Sequence, residues 1–176
     1  MSKIVFTQAD YNSPDGMMTS IWGPPLWHVL HTISFNYPIH PTKEDKEHYF
    51  IYFNSLQYIL PCSYCRDNLK KNLKKIPLNK KIFKSRELLS TWVYLLHEEI
   101  NKMLGKKSNL TYDMVRARYE HFRSRCLNEI ELTDKKESGC TKSLYGVKGK
   151  CILSIVPKSS IVSSFNIDPL CKIKSK

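Results

Sequence analysis

The chain has 176 residues, 41% of them hydrophobic, and a net charge of +12. That length suits one domain with a small appendage, and the apolar content suffices for a compact core. No run is long enough to span a membrane and no signal-peptide h-region opens the chain, so the expected location is cytoplasmic. The charge is concentrated: residues 66–84 hold eight basic side chains against Asp67, and residues 138–176 hold seven lysines against Asp168. Without a helix-turn-helix, zinc-finger or RNA-binding signature, the basic stretches read as solvated faces and nucleic-acid binding is not expected.

Residues 1–20 show little periodicity and contain the turn cluster Asn12-Ser13-Pro14-Asp15-Gly16, which reads as an arm. A first helix is expected to begin near Pro24-Pro25, with Leu26, Leu30, Ile33 and Tyr37 inward, and to end at Pro38. Thr42 and Asp45 form a capping pattern for a second, whose buried stripe is Tyr49, Phe53, Leu56 and Leu60. Tyr49, Phe50, Tyr52 and Phe53 spread over more than one face, so some of them are expected at a surface or an interface.

The third helix carries the most informative motif, Pro61-Cys62-Ser63-Tyr64-Cys65. Cys62 falls where the helix begins, and Cys65, Leu69, Leu73 and Ile76 continue one stripe. Free N–H groups and the positive dipole end of the first turn favour a thiolate at Cys62, below the ordinary thiol value of about 8.5. Haem attachment is disfavoured because Arg66 follows Cys65, and structural zinc because no second close cysteine pair exists. Six cysteines in a chain without a secretory signature argue for redox-active thiols.

Ser85 can cap a fourth helix with Leu89, Trp92, Leu96, Ile100 and Met103 inward and Gly105 as its stop; Thr111 can cap a fifth carrying Val115, Tyr119, Phe122 and Cys126 on one side. These elements describe a mainly α fold, a four-helix bundle with a short fifth helix. Residues 128–139 read as a linker, and residues 150–156 as strand-like, so the tail is expected to be a small β-containing appendage. Too small to hold a core alone, it is expected to carry a structural disulfide involving Cys140, the interval to Cys151 suiting a bond across a hairpin. The division is thus an arm (1–20), a helical domain (21–127) and a basic C-terminal segment (128–176).

Trp27 and His31 share one helix face, as do His97 and Asn101 on the fourth helix. Each pair alone is more often core packing than a ligand site, but a dithiol disulfide needs a two-electron sink, and a flavin suits aromatic and imidazole faces. The series Gly23-x-x-x-Trp27-x-x-x-His31, Tyr37-Pro38, Pro-Cys-x-x-Cys, then Trp92-x-x-x-x-His97-x-x-x-Asn101-x-x-Leu104-Gly105-Lys106 resembles the FAD-linked sulfhydryl oxidases of the Erv/ALR family over residues 21–122. The C-terminal segment and the lysine- and tyrosine-rich composition look most like members from large DNA viruses.

The resemblance implies an FAD-dependent thiol oxidase and a homodimer, with thiol-containing proteins as substrates and oxygen as acceptor, giving hydrogen peroxide. A viral member would work in host cytoplasm or virion. By carry-over Cys65 is the flavin-side thiol and Cys62 the one that exchanges with substrate. Gly23, Trp27, His31, Tyr37, His97, Asn101 and Tyr119 belong to the FAD site, with Lys106 near its phosphates; no metal is implied. Tyr119 stands where the family usually has Trp, and Glu98 where it commonly has Asn. Tyr94 and Thr111 or Tyr112 replace a bundle-stapling cysteine pair, which suggests replacement by packing. The alternative is a basic helical binding module whose Cys-x-x-Cys is structural or binds metal.

Overall fold

The computed structural model describes residues 6–127, 139–163 and 165–172. Its elements run α1 (Gln8–Tyr11), α2 (Thr19–Phe35), α3 (Lys43–Ile59), α4 (Ser63–Lys75), a 3-10 turn (Ile82–Lys84), α5 (Arg86–Met103), α6 (Tyr112–Glu120), β1 (Ser124–Leu127), β2 (Gly139–Ser143) and a closing 3-10 turn (Pro169–Cys171). Helices α2 to α5 form the bundle and α6 is the short fifth helix. The core between them is built from Leu30, Tyr37, Phe53, Leu56, Leu60, Leu69, Phe83, Leu89, Trp92, Val93 and Leu96.

Local chemistry sets the helix starts. Thr42 and Asp45 make a reciprocal capping box at α3, and the Ser85 and Thr111 hydroxyls accept from backbone N–H groups of Leu88 and Met114 at α5 and α6. Each satisfies a donor that the first helical turn leaves without an intrahelical partner. Gly105 ends α5 at φ +66, left-handed backbone that a Cβ disfavours.

The arm is more ordered than its composition suggests. A Thr7–Asp10 capping box supports α1, and α2 begins at Thr19, with Pro24 and Pro25 inside it. The prolines remove the N–H groups that would bond the carbonyls of Ser20 and Ile21. Gly16 and Met17 nonetheless lie against Pro61 and Cys62 at the turn before α4, and Thr19 touches Cys65 within it, which holds the helix start in place. On α3, Phe53 is buried and Tyr49, Phe50 and Tyr52 pack against the core, so none of the four is a free surface aromatic; Ile51, Tyr58 and Ile59 are exposed instead. Met103, expected inward, is exposed as well.

Tyr94 donates to the Leu110 carbonyl at 2.9 Å, its ring meets Tyr112 edge-on, and the Ser90 and Tyr112 hydroxyls are 2.8 Å apart. Hydrogen bonds and aromatic contacts thus tie α5 to α6 at the positions where packing was expected in place of a cysteine pair.

The tail differs from its reading. Helix α6 ends at Glu120, so Cys126 lies in β1 and not on the helix face of Val115 and Tyr119. Strand β1 pairs antiparallel with β2, Ser124 opposite Ser143 and Leu127 opposite Gly139, with a register shift between Arg125 and Leu127. Most of the expected linker, 128–138, lies outside the described residues. Residues 150–156 form no strand. Past Gly146 at φ +62 the chain turns onto its own end, where Val147 N–H donates to the Leu170 carbonyl at 3.2 Å. The backbone of residues 170–172 thus lies against Gly146 and Val147, where a returning strand was expected. Cys140 is disulfide-bonded, but Cys151 and Cys171 are both free thiols, so the bond expected within the tail is not formed.

Candidate functional site

Cys62 is the N-cap of α4 and is joined to Cys65 as a disulfide, with Cα atoms 5.2 Å apart. The Cys62 sulfur accepts from the Cys65 backbone N–H at 3.1 Å, so a thiolate formed there gains a capping hydrogen bond and the dipole of a thirteen-residue helix. Cys65 packs against the core beside Leu69 and Leu73. Arg66 donates to the Leu60 carbonyl at 2.6 Å, fixing the Pro61 turn that presents the motif. Lys70, Lys71, Lys74 and Lys75 lie exposed on α4, in keeping with a solvated face.

The second half of the site is an aromatic and imidazole cluster between α2 and α5. The Trp27 and His97 rings stack 3.9 Å apart at 4°, and His31 Nε2 lies 3.0 Å from His97 Nδ1. Tyr119 of α6 closes the cluster, its ring 5.2 Å from His31 and 5.3 Å from Phe35. Burial pushes the Tyr119 phenol up and keeps it neutral. His31 is held down at about 3, by burial first and then by His97 and His28. His97 is held at about 4, by burial first, with Lys106 lowering it further and Glu98 opposing.

These shifts couple the site to stability. An unfolded imidazole titrates near 6.5, so below that pH the unfolded chain binds protons that the folded one refuses. The stability contributed is complete above pH 6.5 and is lost as pH falls toward about 4, by up to about 1.4 kcal/mol per pH unit for each histidine. Urea midpoints should therefore drop between pH 7 and pH 5, where carboxylates stay ionised, and the drop should shrink in a His31→Gln/His97→Gln double variant. Equal midpoints at the two pH values would contradict the buried neutral pair.

One geometric relation joins the two halves. Thr19, Gly23, Trp27, His31 and Phe35 recur every four residues along α2, an i, i+4 stripe that winds about 40° around the helix at each step. Its first member, Thr19, has its hydroxyl 3.4 Å from the Cys65 sulfur, and its later members form the ring cluster. At 1.5 Å per residue, Trp27 sits about 12 Å along the axis from Thr19.

The other expected residues divide. Gly23 is buried, yet an added Cβ would meet only the Thr19 methyl, at 3.5 Å. Asn101 donates its amide to Glu98 at 3.0 Å, which gives the Glu98 departure a partner. Lys106 is exposed and lines an open groove of about 760 Å³ between α5 and residues 105–112; its influence on His97 is through charge. Tyr37 stands apart: fully buried, it donates to the Phe83 carbonyl at 2.8 Å and packs on Tyr49.

Sequence reasoning missed His28, whose Nδ1 is buried with no hydrogen-bond partner among the described residues, and Phe165, a tail ring 5.3 Å from His28 and stacked on Tyr119. His31 Nδ1 is likewise buried and unpartnered. Unpartnered imidazole nitrogens, a Trp27–His97 stack and the unfilled space at Gly23 fit a planar, hydrogen-bonding aromatic cofactor. Nothing in the tail marked Phe165 in advance. Thr19 continues the four-residue spacing of Gly23, Trp27 and His31, but it falls in the segment read as an arm and was missed.

A helical bundle with a dithiol at one helix start and an imidazole and aromatic cluster on a neighbouring stripe defines a class, and sequence comparison gives it a family. The sequence model of the Erv1 / Alr family matches residues 24–121, more than half of the chain, and the chain belongs to that family. It is 44% identical over 91 residues to a probable FAD-linked sulfhydryl oxidase of Acanthamoeba polyphaga mimivirus, covering 52% of this chain and 63% of the relative. Against the mitochondrial FAD-linked sulfhydryl oxidase ERV1 of Saccharomyces cerevisiae it is 31% identical over 84 residues, covering 48% of this chain and 43% of the relative. The chain thus spans less than two thirds of the length of either. The crystal structure of the FAD-binding domain of yeast Erv1 superposes with a TM-score of 0.53 at 26% identity, covering 58% of this chain and 94% of that one. Among the described residues no helix is long and apolar enough to cross a membrane.

Proposed function

We propose that this chain is an FAD-dependent sulfhydryl oxidase that forms disulfides in protein thiols through Cys62 and Cys65. The observation that carries the proposal is the α2 stripe, which touches the dithiol at Thr19 and lines the Trp27, His31 and His97 cluster two turns later. In the reaction a substrate thiolate attacks the Cys62 sulfur, the Cys62–Cys65 bond breaks, and the electron pair passes to the Cys65 sulfur. A second substrate thiolate attacks the substrate sulfur of the mixed disulfide, releasing the product disulfide and Cys62 as a thiolate. The helix start and the Cys65 N–H stabilise that leaving thiolate.

Trp27, His31, His97, Asn101 and Tyr119 would hold FAD, with Gly23 leaving room and Lys106 supplying positive charge toward its phosphates. Bound there, FAD supplies two-electron acceptance from the dithiol and delivery to oxygen as hydrogen peroxide. The protein's own residues keep the imidazoles neutral and exclude water from the stack. Tyr37 acts from the core, anchoring the end of α2 against Phe83. Thiol-dependent oxygen consumption by the purified chain, with peroxide formed in equal amount, tests the function; a colourless chain that stays inactive when refolded with FAD would refute it.

A homodimer through α2 and α3 belongs to the same proposal. The exposed Val29, Ile51, Tyr58 and Ile59 support it, and not the core-packed aromatics of α3. Light scattering at micromolar concentration should give twice the chain mass of 20.6 kDa; a monomeric mass would contradict it. Cytoplasm or virion is the proposed compartment.

A further inference from the structure

We propose that Thr19 is a positioning residue of the redox centre, donating its hydroxyl hydrogen to the Cys65 sulfur and holding that sulfur as a thiolate once the disulfide opens. The inference rests on the dithiol reading above and adds a residue outside the matched family region, 24–121.

The Thr19 Oγ1 lies 3.4 Å from Cys65 Sγ. A disulfide sulfur carries no hydrogen, so the hydroxyl is the donor. The two sulfurs therefore have donors of different kinds. Cys62 receives the Cys65 backbone N–H, which no side-chain change removes, whereas Cys65 receives a hydroxyl that one substitution deletes.

The neighbouring chain is built to hold Thr19 there. Met17 N–H donates to the Pro61 carbonyl at 2.8 Å, and Trp22 Nε1 donates to the Met17 carbonyl at 3.0 Å. Gly16 lies so close to the motif that a Cβ would come within 2.8 Å of the Pro61 oxygen, a contact real Cβ atoms essentially never make, and 3.0 Å from the Cys62 Cα. Residues 16–22 thus form a strap fastened to the turn before Cys62, and Thr19 is its fixed contact with the second sulfur. In the exchange step the electron pair of the broken S–S bond ends on Cys65, the atom the hydroxyl faces. A hydrogen bond to a charged sulfur is stronger than one to a neutral sulfur, so the contact favours the reduced, thiolate form.

The test is site-resolved alkylation of Cys65 by iodoacetamide as a function of pH, in the full chain carrying Cys62→Ser, with Thr19→Val and Thr19→Ser compared. This readout needs no flavin or turnover, so it separates failure of the Thr19 role from failure of the oxidase reading. Thr19→Val should move the alkylation midpoint up by about one pH unit, a tenfold loss of thiolate at neutral pH, while Thr19→Ser stays with the parent. With Cys62 restored, Thr19→Val should shift the dithiol's equilibrium in a glutathione buffer about tenfold toward the disulfide, about 30 mV. Should Thr19→Val fail to fold, Thr19→Ala against Thr19→Ser gives the same comparison. Coincident midpoints for the hydroxyl-bearing and hydroxyl-free variants would overturn the proposal.

Discussion

Replacing either Cys62 or Cys65 by serine is expected to lower the rate of dithiol oxidation by at least about a thousandfold. Cys62→Ser removes the sulfur that substrate attacks, and with it the N-cap acceptor of the Cys65 N–H, which a serine hydroxyl still serves. The helix therefore survives and only the chemistry is lost. Cys65→Ser removes the leaving sulfur, so a substrate thiol meets no disulfide. Thiol-dependent oxygen uptake and thermal melting, measured together, check this: activity should vanish while the melting temperature falls by a few degrees. Serine variants that keep turnover would move the redox centre elsewhere in the chain, Cys140, Cys151 and Cys171 included.

On the proposed FAD site, Trp27→Ala and His97→Ala should each lower FAD affinity by about ten- to a hundredfold, with the dithiol left chemically intact. The two rings stack at 3.9 Å and build the aromatic wall of the cluster, and His97 also partners His31 at 3.0 Å. Removing His97 leaves a second buried imidazole nitrogen on His31 unpaired, beside the Nδ1 that already lacks a partner. Flavin content after gel filtration, followed by titration with FAD, reads the loss. Because the two residues touch, the double variant should cost less than the sum of the singles. Unchanged flavin content in both would take the cofactor away from this cluster.

Much of the bundle was legible because local signals and the apolar period agreed. The Thr42–Asp45 box, Ser85, Thr111 and Gly105 act where their chemistry places them, and the stripe Cys65, Leu69, Leu73 and Ile76 packs inward. The start of α2 was not legible, since prolines at 24 and 25 look like a first turn and only tertiary contacts of the strap carry the helix back to Thr19. The tail misled for a related reason. Residues 150–156 have strand-forming side chains, but a strand needs a partner, and the chain turns back at Gly146 to pack on residues 170–172 instead. For the candidate site, Trp27, His31 and His97 were found by spacing of four on two helices and converge in space. Tyr37 had the right neighbours in sequence, yet its hydroxyl reaches the Phe83 carbonyl on the core side. Phe165 approaches from 46 residues beyond Tyr119, and no local pattern records so distant a contact.

The central claim, that Cys62 and Cys65 deliver substrate electrons to a flavin held at the Trp27–His97 cluster, is tested most directly by anaerobic titration of the purified full chain with a small dithiol, following the visible flavin absorbance. The expected result is bleaching of the band in the parent chain and its recovery on admitting air with release of peroxide, while Cys62→Ser and Cys65→Ser retain full flavin colour throughout the same titration. A chain whose bound flavin bleaches at the parent rate in both serine variants would contradict the account.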